Sequence, residues 1–267
     1  MAHFLTPAII EQRAFGKLHW LTFQSPELAS GVRPGQYLLV RCAAPQSYDP
    51  LLRRTIFVAG VDRSNGAVSL LYVRNERGTD WLAQCDGGDQ LDIFGPLGTP
   101  FNLDPRTRSL LLIGAGPGLG ALLFLAHEAA AHGGAIVLLA SATADDLLPP
   151  PFLLPPDVEY QASPDGDDSA LELLEVCDTN SSASAALQSP ISWADQLCAA
   201  LPPAHLITLS DRIRSTKLRW QDGFAQALLA DGMPCGIGVC QSCLVETRHG
   251  LRTRCKDGPV FDLRELR

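Results

Sequence analysis

Nine residues near the carboxyl terminus, Cys235-Gly-Ile-Gly-Val-Cys-Gln-Ser-Cys243, decide how this chain is organised. A fourth cysteine follows at Cys255, so the spacing is Cys-x4-Cys-x2-Cys-x11-Cys. This spacing is typical of plant-type [2Fe–2S] ligation, in which one tight loop and a later segment supply the thiolates. Gly236 and Gly238 have no Cβ, so the backbone can approach an anionic cluster and donate N–H groups to it. The pattern predicts a cluster on Cys235, Cys240, Cys243 and Cys255.

A structural zinc site is the alternative for these four cysteines. Zinc sites usually combine two separated Cys-x2-Cys knuckles, whereas here the x4 gap and the glycines favour iron–sulfur. The chain has eight cysteines in all. The four scattered ones are predicted to be small buried hydrophobic residues: Cys42, Cys85, Cys177 and Cys198.

The bulk composition bounds the possible classes of function. The 267-residue chain has a net charge of −8, so it offers no general basic field for nucleic acid. The amino terminus has no basic start followed by a long apolar run, and no apolar stretch is long enough to span a bilayer. These features predict a cytoplasmic location, with no nucleic-acid or membrane partner.

Residues 1–103 have the pattern of a small antiparallel β-barrel. Short apolar stretches, such as Gln36–Arg41 and Ala67–Val73, alternate with turn signals rich in glycine, proline and asparagine. Several short strands at this spacing indicate a barrel rather than an α/β domain.

Residues 104–225 change to a strand–glycine loop–helix–strand order. The apolar stretch Ser109–Ile113 precedes the loop Gly114–Gly120, and the alanine- and leucine-rich segment Ala121–His132 precedes the strand Ala135–Ala140. This βαβ unit implies a parallel sheet. The loop departs from G-x-G-x-x-G, so a nucleotide site and a tight strand–helix turn both stay open.

Three further elements are predicted towards the carboxyl terminus. A buried strand is expected at His205–Leu209, and a helix at Gln221–Leu229 leads into the cysteine module at residues 226–267. Within that module, Leu244–Thr247 and Leu251–Arg254 predict a hairpin that returns the chain to the cluster.

Two stretches of the predicted barrel are candidates for flavin binding. An arginine at a strand start, as in Leu52-Arg-Arg-Thr-Ile-Phe57, can neutralise a pyrophosphate. A Gly-Thr pair before a helix, as in Gly78-Thr-Asp-Trp-Leu82, can offer backbone N–H groups to the same phosphates. A surface arginine and an ordinary helix cap are the alternatives.

Taken together, these motifs resemble one family. The chain is similar to the electron-transfer subunits of class 1B dihydroorotate dehydrogenase, within the ferredoxin–NADP reductase superfamily. The most specific match is Met233–Cys243 followed by Cys255-Lys-Asp-Gly-Pro-Val-Phe261, which fits the family's Cys-Gly-Ile-Gly-x-Cys-x-x-Cys and Cys-x-Asp-Gly-Pro-Val-Phe. The stretches Leu51-Leu-Arg-Arg54 and Gly78-Thr-x-Trp-Leu, with Gly95-Pro-Leu-Gly98, match as well.

The resemblance implies a fold, cofactors and a partner. The fold is an antiparallel FAD-binding β-barrel, a parallel-sheet α/β domain of the NAD-binding kind and a C-terminal [2Fe–2S] module. Electrons pass from NADH through FAD and the cluster to or from an FMN-containing dihydroorotate dehydrogenase subunit of pyrimidine biosynthesis, in a heterotetramer. Carried over by position, the cofactor-binding residues are Arg54, Thr55, Ile56, Phe57, Leu71, Tyr72, Val73, Gly78 and Thr79, with Gly114 and Gly116 in the nucleotide loop.

Three departures from the family pattern bear on these roles. The family's Arg-Pro-Ile-Ser is Arg54-Thr-Ile-Phe57 here, so Phe57 replaces the serine that approaches the flavin ring. The glycine loop lacks the family's proline before the helix, and no Cys-Gly-Pro occurs in the chain. At that last position Ser210 is expected to stand in, with Asp211 placing a carboxylate near the dinucleotide.

Three hypotheses follow from these observations. The first is an electron-transfer subunit with FAD and a [2Fe–2S] cluster. The second is a ferredoxin-like relay or assembly partner that has lost nicotinamide use, and the third is a zinc-stabilised binding module. Four basic residues that follow the expected strand are candidates for phosphate binding or for a solvated helix face: Arg212, Arg214, Lys217 and Arg219.

Overall fold

The amino-terminal part of the chain forms a seven-stranded antiparallel sheet that curves into a barrel. The computed structural model describes residues 2–179 and 189–266. The strand order is β1-β7-β4-β5-β6-β3-β2. The elements are β1 (His3–Leu5), β2 (Ile9–Phe15), β3 (Leu18–Gln24), α1 (Pro26–Gly31), β4 (Tyr37–Arg41), β5 (Arg54–Asp62), β6 (Ala67–Val73), α2 (Arg77–Leu82) and β7 (Asp92–Leu97).

Apolar side chains that alternate along the barrel strands fill the barrel on one side and pack against the α/β domain on the other. In β6, Val68, Leu70 and Tyr72 pack inside the barrel, whereas Leu71 packs on the outer side against residues of the α/β domain. Successive side chains of a strand point to opposite faces, so one strand serves both cores. The predicted antiparallel barrel is confirmed.

The middle of the chain forms a parallel sheet with helices. The sheet order is β10-β9-β8-β11-β12-β15, in which β15 (Val260–Asp262) is the one antiparallel strand. Within residues 2–179 and 189–266, no helix is long and apolar enough to cross a bilayer. The elements are β8 (Ser109–Ala115), α3 (Leu119–Ala130), β9 (Ala135–Ser141), β10 (Val158–Ser163), α4 (Ser169–Thr179), α5 (Pro190–Trp193), β11 (Gln196–Ala200), α6 (Pro203–Thr216) and β12 (Ala225–Leu228).

Two sequence predictions in this region are wrong. His205–Leu209, predicted as a strand, lies inside α6, whose apolar face recurs every three or four residues at Leu206, Leu209 and Ile213. Pro203 occupies the first turn, where a proline costs no backbone hydrogen bond. The helix predicted at Gln221–Leu229 is instead the fully buried strand β12, because short apolar runs have no diagnostic period.

The cysteine module is joined to both preceding domains. Its elements are β13 (Leu244–Thr247), β14 (Gly250–Thr253), α7 (Arg254–Asp257) and β15 (Val260–Asp262). The predicted hairpin is confirmed, since β13 and β14 pair in antiparallel register. β15 extends the parallel sheet through β12, while the Thr99 backbone N–H donates to the Gly258 carbonyl at 2.6 Å.

Gly98 tests how closely the module packs on the barrel. Its φ is +83°, and a Cβ there would overlap Pro259 and lie 3.0 Å from the Tyr37 ring. We expect Gly98→Ala to lower the free energy of unfolding by roughly 2–4 kcal/mol, measured by denaturant unfolding. Gly133→Ala is the matched control, because Gly133 has φ +76° and open space around it. It should lose only about 1 kcal/mol, and equal losses would contradict close packing.

Candidate functional site

The four cysteines of the predicted cluster converge beside the barrel. Cys243 and Cys255 are buried, Cys235 is half-buried and Cys240 is exposed. The backbone N–H of Gly238 donates to the Cys255 Sγ at 3.1 Å. The loop and the short helix α7 therefore bring together thiols that are up to 20 positions apart in the chain.

The two glycines of the loop are required by conformation and by space. Gly236 has φ +71° and Gly238 has φ +80°, the left-handed region that favours glycine. A Cβ on Gly236 would lie 2.7 Å from Leu97 Cδ1 and 2.9 Å from Leu39 Cδ1. The loop is therefore seated on two strands of the barrel, β4 and β7.

The electrostatics of the thiols suit an anionic ligand set. Burial raises the pKa of Cys235, but hydrogen bonds from the backbones of Cys240, Ile237 and Val239 and from the Cys240 thiol outweigh it, to about 6. Burial raises the pKa of Cys255, and the nearby Cys243 and Cys235 raise it further. Crowded thiols that would repel one another as thiolates need a cationic centre between them.

The donor set fits a two-iron cluster better than a zinc ion. All four candidate ligands are cysteine thiols, and the loop glycine Gly238 donates its backbone N–H to the sulfur of Cys255. A structural zinc needs four ligands around a single point, whereas [2Fe–2S] divides four thiolates between two irons. Of the scattered cysteines, Cys42, Cys85 and Cys198 are buried as predicted, and the side chain of Cys177 lies outside the description.

Replacing the last cysteine tests the cluster. We expect the wild-type protein to contain iron and acid-labile sulfide in equal amounts, and Cys255→Ser to lose most of both, because a buried ligand is removed. Cys198→Ala is the control, since Cys198 is equally buried but lies in β11. Zinc in the wild-type protein, or iron retained in Cys255→Ser, would contradict the assignment.

A cleft of about 620 Å³ lies between the barrel, the glycine turn and the start of the cysteine module. Nine of the eleven predicted cofactor-binding residues line it: Arg54, Thr55, Ile56, Phe57, Leu71, Tyr72, Val73, Thr79 and Gly116. The other two, Gly78 and Gly114, do not line it. Met233, Pro234 and Ser242 line the same cleft from the cysteine loop.

Arg54 and the first turn of α2 meet at the candidate position for the flavin diphosphate. The Arg54 guanidinium donates from Nε and Nη2 to the two carboxylate oxygens of Glu76, at 2.6 and 2.9 Å. The same carboxylate accepts the Thr79 backbone N–H. A Cβ at position 78 would lie 2.6 Å from the Arg54 Nε, so Gly78 leaves room for the guanidinium. The donors fit a flavin diphosphate, which would share or replace the Glu76 carboxylate.

Sequence reasoning missed Glu76. The signal was available, because Glu76 and Thr79 stand three positions apart at a helix start and form a reciprocal capping box. The Thr79 hydroxyl accepts the N–H groups of Asn75 and Glu76 and donates to the Glu76 carbonyl. Its hydrogen-bonding capacity is therefore used within the cap, and Arg54 is the main candidate for phosphate contact.

Arg54 is the residue whose loss should weaken FAD binding most. We expect Arg54→Met to raise the Kd for FAD roughly tenfold to a hundredfold, because charge-assisted hydrogen bonds to the diphosphate are lost. Flavin fluorescence titration of the apoprotein measures this. Arg77→Met is the control, since Arg77 pairs with Asp49 on the surface. An unchanged Kd in Arg54→Met would show that the diphosphate lies elsewhere.

Phe57 does not leave a gap where the family has serine. The side chain is 1% exposed and belongs to the core shared by the barrel and the α/β domain. It contacts the cleft on one side and the ring of Tyr37 on the other. The replacement therefore makes this wall of the cleft aromatic.

The glycine loop is a tight strand–helix turn. Gly116 has φ +64°, and a Cβ on Gly114 would lie 2.5 Å from Leu122 Cδ1. Gly118 faces Ala200 of the neighbouring strand, with its hypothetical Cβ 2.6 Å from that methyl group. These contacts support the packing role that the sequence left open beside nucleotide binding.

The structure does not place Ser210 and Asp211 directly after a strand, where the sequence analysis put them beside the nicotinamide. Ser210 and Asp211 lie on α6, and Asp211 pairs with Arg214 at 3.0 Å. The strand β11 is followed by Leu201 and Pro202, which with Asp167 and Asp231 line a cavity of about 160 Å³ at the carboxyl edge of the sheet. Ser210 was the wrong residue because His205–Leu209 is helical.

The four basic residues do not meet at this edge. Arg212 donates to the Leu171 carbonyl, and Lys217 donates to the Ala194 carbonyl at 2.9 Å. Arg214 lies over the ring of Trp220, with its guanidinium carbon 5.8 Å from the ring centroid. Lys217 and Arg219 line a polar cavity near the amino ends of the strands. A shared dinucleotide phosphate site is not formed by them.

Comparisons with known proteins define the class. The family "Iron-sulfur cluster binding domain of dihydroorotate dehydrogenase B" matches residues 231–267. The structure reported for an NADH-dependent reduced ferredoxin-NADP oxidoreductase superposes with a TM-score of 0.76 at 20% identity, covering 98% of this chain and 90% of that one. The ferredoxin reductase in carbazole 1,9a-dioxygenase gives 0.63 at 19% identity, covering 80% and 64%. The fold is ferredoxin-reductase-like, with a C-terminal iron–sulfur binding domain.

Curated relatives narrow the class to one family. The "Dihydroorotate dehydrogenase B (NAD(+)), electron transfer subunit" of Shouchella clausii (strain KSM-K16) is 32% identical over 88% of this chain and 86% of its own length. The subunit of the same name from Geobacillus thermodenitrificans (strain NG80-2) is 29% identical over 97% and 96%. The chain belongs to the family of dihydroorotate dehydrogenase B electron-transfer subunits, which confirms the resemblance of its motifs.

Proposed function

We propose that this chain passes electrons from NADH through FAD to a [2Fe–2S] cluster, and from there to or from a catalytic dihydroorotate dehydrogenase subunit. One observation carries the proposal. Met233, Pro234 and Ser242 line the cleft that holds Arg54, and the cysteines Cys235 and Cys243 are the next residues in the chain. The wall of the flavin cleft is thus the cluster loop itself.

The residues of this chain have distinct roles in that proposal. FAD supplies the conversion between a hydride and single electrons, and the cluster carries one electron at a time. Arg54 binds the diphosphate, and Leu71 and Val73 line the cleft along β6. Phe57 and Met233 are both buried, and they exclude water from the region between the cleft and the cysteines. Packed side chains rather than solvent would then separate a bound flavin from the cluster.

The exposed side of the cluster loop is the proposed exit. Cys240 is exposed, and its neighbours Ile237 and Val239 are 52% and 75% exposed. Apolar side chains beside an exposed ligand suit a protein surface that excludes water on docking. The relatives are named as electron-transfer subunits of dihydroorotate dehydrogenase B, which supports a catalytic dihydroorotate dehydrogenase subunit as the partner. We propose that this subunit contains FMN, as the resemblance implies, and that the two form a cytoplasmic heterotetramer of pyrimidine biosynthesis.

The division of labour follows the chain. Residues 1–103 act as the FAD-binding barrel, residues 104–225 as the NAD-binding-like domain and residues 226–267 as the cluster module. Strand β12 and strand β15 join the last two units in one sheet, so the units are expected to move together.

One observation favours a second candidate function. The small cavity at the carboxyl edge of the parallel sheet is lined by the carboxylates of Asp167 and Asp231 and has no Cys-Gly-Pro. Carboxylates repel dinucleotide phosphates. A relay that receives electrons from another protein instead of NADH would keep the flavin and the cluster and dispense with this edge.

An anaerobic titration with NADH separates the two candidates. We expect NADH to bleach the flavin absorption and then the broader iron–sulfur absorption of the holoprotein, since both centres lie on one path. Dithionite is the control that reduces both centres without a nucleotide site. Bleaching by dithionite with none by NADH would overturn the reductase function and favour the relay.

A further inference from the structure

Tyr37 lies between the flavin cleft and the fourth cysteine. Its side chain is fully buried, and its hydroxyl donates to the backbone carbonyl of Cys255 at 3.1 Å. Its ring packs edge-on against Phe57, with centroids 5.9 Å apart and an interplanar angle of 62°. Phe57 in turn lines the cleft. Two aromatic rings thus connect the cleft with the backbone of a cluster ligand.

The hydrogen bond fixes the backbone of Cys255. Cys255 belongs to the four-residue helix α7, which is too short to satisfy its own carbonyl groups. Tyr37 holds the carbonyl from the barrel side, while Gly238 holds the sulfur at 3.1 Å from the loop side. Fixing both ends of the residue fixes the direction in which Sγ points.

The hydrogen bond also changes the surroundings of the ligand, because it is made to the backbone carbonyl of Cys255 itself. Hydrogen bonds and dipoles around iron–sulfur ligands tune the reduction potential of a cluster. An O–H group that satisfies a nearby carbonyl reduces the negative potential which that carbonyl imposes on the site. Without it, adding an electron to an already anionic cluster becomes less favourable.

We propose that Tyr37 is a positioning residue for the cluster: its hydroxyl orients the Cys255 ligand and raises the cluster's reduction potential. The proposal rests on the proposed function, because it takes the four cysteines to hold the cluster. Tyr37 touches no substrate and acts through Cys255. The packing of Phe57, in place of the family's serine, holds the Tyr37 ring in this orientation.

Tyr37→Phe tests the proposal with the smallest change. The substitution keeps the ring and removes the hydroxyl. We expect wild-type flavin content, a lower midpoint potential, an altered electron paramagnetic resonance spectrum of the reduced cluster and roughly threefold to tenfold faster iron release to a chelator. Phe57→Leu, which keeps the hydroxyl but removes the ring contact, should shift the spectrum and potential in the same direction and by less.

Tyr160→Phe is the matched control. The Tyr160 hydroxyl donates to the Pro149 carbonyl at 2.9 Å, so the control removes the same type of hydrogen bond in the α/β domain. Its cluster should behave as in the wild-type protein. Unchanged spectrum, potential and iron release in Tyr37→Phe would overturn this proposal alone. Equal changes in both variants would also overturn it, whereas a wild-type protein without iron would overturn the proposed function itself.

Discussion

The structure depends on the docking of the segment around Cys255 against the barrel. Thr99 donates its backbone N–H to the Gly258 carbonyl at 2.6 Å and its hydroxyl to the Val260 carbonyl at 3.1 Å. Tyr37 holds the Cys255 carbonyl from the same side. These bonds join residues more than 150 positions apart, so they form only when the barrel and the module are both folded. The fourth cysteine is thereby set at a fixed place relative to the cleft.

The same segment is also tied to the α/β domain. β15 begins at Val260 and pairs with β12, so the chain leaves the cluster directly into the parallel sheet. The distance between the flavin cleft and the cysteines would vary if the barrel and the cysteine module moved relative to each other. The short segment from Cys255 to Asp262 contacts both the barrel and the parallel sheet. These contacts keep the flavin cleft and the cysteines in one packed unit.

The sequence predicted the features that depend on local spacing. The cysteine pattern, the βαβ unit and the hairpin of β13 and β14 could all be identified because each has a period or a spacing of its own. His205–Leu209 was predicted as a strand and is helical, and the segment of β12 was predicted as a helix and is a strand. Apolar runs of four or five residues are compatible with either state. Contacts made by tertiary packing were out of reach. Glu76 on Arg54, and Tyr37 on Cys255 at a separation of 218 residues, follow only from the folded chain.

The departures from the family pattern differ in how much they change the structure. Phe57 is accommodated by a buried aromatic contact and leaves the cleft intact. The missing Cys-Gly-Pro changes the carboxyl edge of the sheet, where Leu201 and Pro202 follow β11 beside two carboxylates. The cluster module is therefore the part of the chain that matches the family motif closely, and the carboxyl edge of the sheet is the part that departs from it.

A reductive titration of the holoprotein with dithionite tests the central claim that a flavin and a [2Fe–2S] cluster share this one chain. We expect an uptake of about three electrons per chain, two for the flavin and one for the cluster. The absorption changes should show both centres. An uptake of about two electrons with flavin changes alone, or of about one with no flavin, would contradict it.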